Sequence, residues 1–297
     1  TAANLTMAGN ATVTGTLAIG AGTFGFAGAL TTANNATGGI VNGAGTLQFN
    51  GANMTHTHAG DIQAASKFSA AGIVVNGSVA GGDANGDSEF GNILSDAASS
   101  TTLNSIQDIN GTVTVNGTLV ANLVRDAVGV VDADGQVTGL IDVNNGGSFT
   151  LSSFDTATTM TGGATVNDGG TFVAGSSLGS AAALVIGDNS QAAAATFNLN
   201  GMTVTSMGAA GAVVVNSSTG NVAPGFGTTG TLGIAAGGDI AGGTNPTIPN
   251  LIVNGGAANE IDSDVTVTGT FTVTAASNGA NGDNVTLSGA AAVGQFN

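Results

Sequence analysis

The sequence predicts an all-β fold: a parallel β-helix-like β-solenoid interrupted by an irregular insertion, with a β-sandwich array as the alternative. Three observations carry this. The stretch DVTVTGTFTVT at residues 264–274 alternates apolar and polar side chains, as a half-buried strand does. Gly-(Thr/Ser)-(Leu/Phe) phrases recur along the chain, beginning for example at Gly15, Gly45, Gly117 and Gly170. The composition holds 51 Gly among 297 residues and only 3 Pro, which suits a chain that turns often.

The alternating stretch comes first. Extended back to Glu260, one parity holds Glu260, Asp262, Asp264 and the threonines from Thr266 to Thr274. The other parity holds Ile261, Val265, Val267, Phe271 and Val273. Successive side chains of a strand point to opposite faces, so one face is apolar and the other hydroxylic and acidic. Gly269 interrupts the run, and a glycine inside a strand pattern predicts a bend or bulge, hence two short strands around a corner. The phrases have irregular spacing, but Gly22 to Gly45 and Gly147 to Gly170 are each 23 residues apart. Coils of ~20–30 residues are the size of solenoid repeats. Asn-Gly pairs at Asn42, Asn76, Asn116, Asn200 and elsewhere fit solenoid corners, and fit the hairpins of a sandwich equally well.

Three segments follow. Residues 1–53 are repeat-like. Residues 54–110 lack alternation and hold better helix formers, which predicts an insertion or small subdomain with a helical turn or two. Residues 111–297 are repeat-like again, with loops around Pro224 and at Pro246 and Pro249. The first residue is Thr, which predicts a processed mature form or a fragment, and no basic segment followed by an apolar one marks a leader.

Charge excludes several function classes. Lys67 and Arg125 are the only Lys and Arg, set against 18 carboxylates, for a formal charge of −16. Nucleic-acid binding needs cations to neutralise phosphates, so no nucleic-acid partner is expected, and anionic membrane surfaces are disfavoured. No apolar run approaches the ~18 residues of a membrane helix, so no transmembrane segment is expected. The absence of Tyr and Trp argues against a membrane barrel with aromatic girdles. Cations are the natural partners of such a surface.

Acidic clusters are the candidate sites. DANGDSE sets Asp83, Asn85, Asp87 and Glu89 at alternating positions, like the start of a calcium loop. Ser88 and Leu94 stand where the helix–loop–helix version wants Gly and Glu. DADGQVT, with Asp132, Asp134 and Gln136, is a second partial match, with Val143 in place of the terminal Glu. NEIDSD, with Glu260, Asp262 and Asp264, is a third set, whose carboxylates repel one another unless solvated or bridged. Ca²⁺ is therefore the expected cofactor. His56 and His58, with Asp61 nearby, form an incomplete transition-metal set and otherwise read as loop histidines. Asn-x-(Ser/Thr) triplets at Asn4, Asn10, Asn35, Asn53, Asn76, Asn110, Asn116, Asn216 and Asn284 are glycan acceptors only where glycosylation machinery exists.

Catalysis has little support. The chain has no Cys and no Tyr, and its only two histidines sit together in one HTH run. A carboxylate pair for glycoside hydrolysis would lack an aromatic sugar platform. No enzymatic activity is expected. Threonine ladders on a solenoid face occur in ice-binding proteins, but carboxylates are expected to interrupt these faces.

The repeated GTL-type phrases, with Asn-Gly corners and no Cys, resemble passenger regions of bacterial autotransporters and related surface-layer proteins. The resemblance covers most of residues 1–50 and 111–297, and the chain departs from it in lacking the translocator barrel. It implies an extracellular, cell-surface, β-rich protein. The expectation is a structural protein that assembles with copies of itself into a layer or filament, by strand addition at edges or ends with cation bridging. The alternative is an adhesin stalk whose tip would be the 54–110 segment.

Overall fold

The computed structural model of the chain describes residues 4–33, 39–77, 88–124, 135–207, 213–235, 238–242, 244–254, 259–262, 264–274, 285–287 and 291–296. Among these residues the regular structure is entirely β-strand, and every named strand pair is parallel. The chain divides into two compact units, Thr1–Ile141 with Gly147–Asp155, and Asp142–Gly146 with Thr156–Asn297. Each is a parallel β-solenoid.

In the first unit the chain visits three sheets in turn. The first sheet stacks Leu5–Met7, Thr23–Phe26, Thr46–Phe49, Ala65–Phe68, Ile93–Ser95 and Val113–Val115. The second stacks Ala11–Val13, Leu30–Thr32, Thr55–His58, Ile73–Gly77, Ser100–Ile106, Thr118–Leu123 and Ser148–Ser152. The third stacks Thr16–Ala18, Ile40–Asn42, Asp61–Ile62 and Glu89–Phe90, and continues through single bridges at Ile109 and Val137. One strand from each sheet makes a coil.

Stacking coil on coil sets like residues over like. Phe26 lies opposite Phe49, and Phe49 opposite Phe68, all fully buried. The Phe49 and Phe68 rings stack at 4.7 Å and 15°, which is the spacing of neighbouring strands expressed in side chains. The strand TLQF of Thr46–Phe49 shows the local rule: Leu47 and Phe49 are buried, while Thr46 and Gln48 are half-exposed.

The outer face of the second sheet follows the same rule with polar residues. Thr55, Val74, Thr102, Val120 and Thr150 form one outward column. Thr57, Asn76, Asn104, Asn122 and Ser152 form the next. Within it Asn104 Nδ2 donates to Asn76 Oδ1 at 3.2 Å, and Asn122 Nδ2 to Asn104 Oδ1 at 3.0 Å, an amide ladder running from coil to coil.

The second unit is built alike. Its first sheet stacks Ala164–Val166, Leu184–Ile186, Val213–Val215, Asp239–Gly242, Asn259–Ile261 and Val285–Leu287. Phe172 of Thr171–Ala174 stacks on Phe197 of Thr196–Asn198 at 4.7 Å and 3°. A further sheet holds Leu178–Ser180, Thr203–Ser206, Thr231–Ile234, Leu251–Asn254 and the long strand Val265–Thr274. That long strand is the alternating stretch of the sequence. Its first half pairs with Thr247–Ile248 and its second half with Leu251–Asn254. Gly269 sits at the corner between them, donating its N–H to the Pro249 carbonyl at 2.8 Å. A Cβ there would overlap the Asn250 Oδ1 and the Pro249 carbonyl, so only glycine lets the coils approach.

The Asn-rich corners have a specific job. Side-chain oxygens of Asn4, Asn10, Asn92 and Asn250 accept backbone N–H groups of Thr23, Ala29, Thr112 and Thr270 on the following coil, at 2.9–3.0 Å. They satisfy donors that the ladder cannot reach where the backbone turns. No described Asn-Gly pair closes a hairpin, since every named strand pair is parallel; Asn76–Gly77 lies within a strand, while Asn200–Gly201 turns with positive φ at both residues, 49° and 79°.

One expectation is corrected. The helical turns assigned to 54–110 are strands: Thr55–His58, Ala65–Phe68, Ile73–Gly77 and Ser100–Ile106 pair in register with their neighbours. Helix propensity in AASKFSAAG is a weak local preference, and burial of Ser66 and Phe68 in the stack outweighs it.

Phe68→Ala is expected to cost about 3–5 kcal/mol of unfolding free energy, since it removes a ring from the middle of the stack. Leu140→Ala, at a site 41% exposed, should cost under about 1 kcal/mol. Urea titrations of the two variants measure the difference.

Candidate functional site

The structure locates only part of the expected cation sites. Asp83, Asn85, Asp87, Asp132 and Asp134 lie outside the described residues. Gln136, from the second cluster, is buried, and its N–H donates to Asp108 Oδ1 at 2.8 Å. Glu260 is placed by its backbone, opposite Asp239 and Thr286. Asp262 and Asp264 are exposed, next to the start of the long strand. Among the described residues, no three His, Asp or Glu side chains gather as a metal set.

Glu89 belongs to a concave site that the sequence did not single out. It lies on Glu89–Phe90, in direct register with Asp61 on the preceding coil. Neighbouring strands run about 4.8 Å apart, so the two carboxylates are set side by side and repel. Amides offset this. Gln63 Nε2 donates to Asp61 Oδ2 at 2.6 Å, and Asn110 Nδ2 to Glu89 Oε2 at 3.0 Å. Burial pushes the Asp61 carboxyl above the ordinary aspartate value, and the Gln63 hydrogen bond works against that rise. Asp61, Gln63, Glu89, Asn92, Asn110 and Gly111 line a groove of about 310 Å³. Its oxygen-rich wall suits a hard cation or a hydroxylated ligand. The spacing of Asp61 and Glu89, 28 residues apart, is unrelated to either motif, so only the coil register brings them together.

His56 and His58 are core residues, which corrects both the loop and the metal expectation. They point inward from the strand Thr55–His58, each 2% exposed, while Asp61 points outward from the next strand. His56 Nδ1 accepts the Leu30 N–H at 2.9 Å, so the ring proton is on Nε2, which has no hydrogen-bond partner. The ring stands edge-on to Phe49 at 4.8 Å. His58 Nε2 donates to the Glu89 carbonyl, so Nδ1 accepts from the Thr32 hydroxyl, both at 2.9 Å. Thr32 Oγ1 in turn accepts the Ala59 N–H at 3.1 Å. A second proton on His56 would confront the Leu30 donor. Burial lowers both rings to about 4, the carbonyl of Glu89 opposing this at His58.

Lys67 is engaged as well. Its Nζ lies 3.1 Å from Asp96 Oδ2, and the Ser69 hydroxyl donates to the same oxygen at 2.7 Å. The pair is partly exposed and contributes little. No family model matches this chain, and neither a curated protein nor a solved structure matches it.

The histidines set an acid limit on the first unit. Each has a folded value near 4 against 6.5 for the free side chain. Between these values the unfolded chain binds more protons, so stability present above pH 6.5 is lost as pH falls towards 4. The loss is on the order of 2–3 kcal/mol for His58 and smaller for His56. Urea midpoints across pH 7 to 4 check this. His58→Gln should flatten its share of the slope, and an unchanged slope would refute the assignment.

Proposed function

We propose that this chain is an extracellular structural protein that assembles with copies of itself into a cell-surface layer or filament, cations bridging its acidic clusters. The observation that supports it is the like-on-like register of the coils. Parallel strands stack Phe over Phe, Asn over Asn and Thr over Thr, and each coil meets the next through backbone groups and repeated side chains. Such a rule does not depend on the two coils belonging to one chain. A coil edge presented by one copy therefore offers another copy the ladder that already holds the chain together. Lysine, which soluble proteins use to guard strand edges, occurs once, and Lys67 is paired with Asp96.

The acidic clusters supply the cation dependence. Asp262 and Asp264 are exposed beside the long strand, and Asp239 and Glu260 stand in register on adjacent coils. At a net charge of −16, copies repel until counterions or Ca²⁺ intervene. No helix among the described residues is long and apolar enough to cross a membrane.

Negative-stain electron microscopy of the purified chain, first in Ca²⁺ and then in EDTA, tests the proposal. Ordered sheets or filaments that come apart in EDTA are expected, with Asp262→Asn/Asp264→Asn raising the Ca²⁺ needed several-fold. Isolated particles under both conditions would refute self-assembly.

A further inference from the structure

Among the described residues, the outer face of the second sheet in the first unit carries no charged side chain. Over five coils its outward residues are Thr, Ser, Asn and Val, in the two columns described above and a third of Ser100, Thr118 and Ser148. The other faces of this unit do carry charge: Lys67 and the nearby Asp96 on the first sheet, Asp61 and Glu89 on the third.

In a chain of net charge −16 this distribution selects a partner. We infer that the second-sheet face of the first unit is a lateral contact between copies of this chain, uncharged face against uncharged face. The inference rests on the self-assembly reading and adds a sideways contact to its strand addition. Two copies approaching by their acidic faces pay like-charge repulsion, whereas the described strands of this face bring no side-chain charge to the contact. Val74 and Val120 give it apolar area between the threonines. The amide ladder of Asn76, Asn104 and Asn122 holds those side chains in place before contact, which lowers the ordering cost of docking.

Area decides how strong the contact is. Five coils at about 4.8 Å and outward residues about 7 Å apart along each strand give on the order of 400 Å² per copy. A stable pair buries roughly 800 Å² per partner, so an isolated pair is weak. Copies already joined in a polymer present many such faces at once, and avidity makes the contact count. A weak lateral contact is therefore what turns filaments into a sheet.

The chain has no cysteine, so a single one is a clean probe. Thr102→Cys lies in the middle coil of the patch, and Thr114→Cys on the first sheet is the control. Under mild oxidation of concentrated protein, Thr102→Cys should form disulfide-linked dimers at least tenfold faster than the control. Adding Val74→Glu/Val120→Glu should bring the rate down to that of the control, with thermal melting confirming that the variants fold. Equal rates at the two positions, or a Thr102→Cys rate indifferent to the added carboxylates, overturn the inference. Micrographs of the same samples separate the two proposals. Filaments without preferential linkage at 102 remove the lateral contact alone, and preferential linkage without filaments keeps the contact but removes the polymer. Thermal hysteresis in an unlinked Thr102→Cys sample would assign the face to ice and also overturn the inference.

Discussion

The parallel ladder between successive coils constrains everything else in this protein. Each coil must present the same inward and outward alternation as the one before, within one strand spacing of it. The backbone hydrogen bonds fix the register, and the register then decides which side chains meet. Phe26, Phe49 and Phe68 stack because their coils put the same position over the same position. Asn76, Asn104 and Asn122 join hands for the same reason on the opposite side of the backbone. One interaction thus organises both the apolar interior and the polar exterior, and small residues dominate because every column must tolerate a near copy of itself above and below.

Much of this was legible in the sequence. Alternation in residues 264–274 gave the strand, its faces and the Gly269 corner, because a period of two is a property of the chain alone. Recurring Gly-Thr-Leu phrases indicated stacked coils. The parallel arrangement was harder, since Asn-Gly serves a hairpin and a solenoid corner with similar backbone angles. Residues 54–110 read in the sequence as an insertion with a helical turn or two because their coils use Ser, Ala and His at inward positions where Val or Leu would announce a strand. Ser66 and His56 are buried, and neither type marks a core by itself. In THTH the alternation was plain, but only the packing against Phe49 and Phe90 says that the imidazoles, not the threonines, face inward.

The groove at Asp61 and Glu89 was invisible for a different reason. Its parts are far apart in sequence, and the coils between them differ in length, so no spacing rule could pair them. In the sequence Asp61 reads only as a neighbour of the histidines, and Glu89 only as a member of a calcium-like run. Register separates Asp61 from His58 by sending one outward and the other inward, and joins it to a residue on another coil. Sites of this kind are products of stacking, and their chemistry is set by which corner a coil reaches when it returns.

Stacking also accounts for the odd composition. A carboxylate repeated at one position on successive coils would place like charges about 4.8 Å apart, costing roughly 3 kcal/mol per step at an effective dielectric of 20. Ladder positions therefore fill with Thr, Asn, Ser and Val, and charge moves to corners and loops. Where two carboxylates do fall in register, as at Asp61 and Glu89, neighbouring amides donate to both. The 7% charged content is thus a consequence of the fold, and not in itself a mark of function. What the fold leaves open is where the few charges go. Among the described residues they leave one sheet face neutral while the whole chain stays strongly acidic, and that asymmetry is a choice the ladder does not dictate.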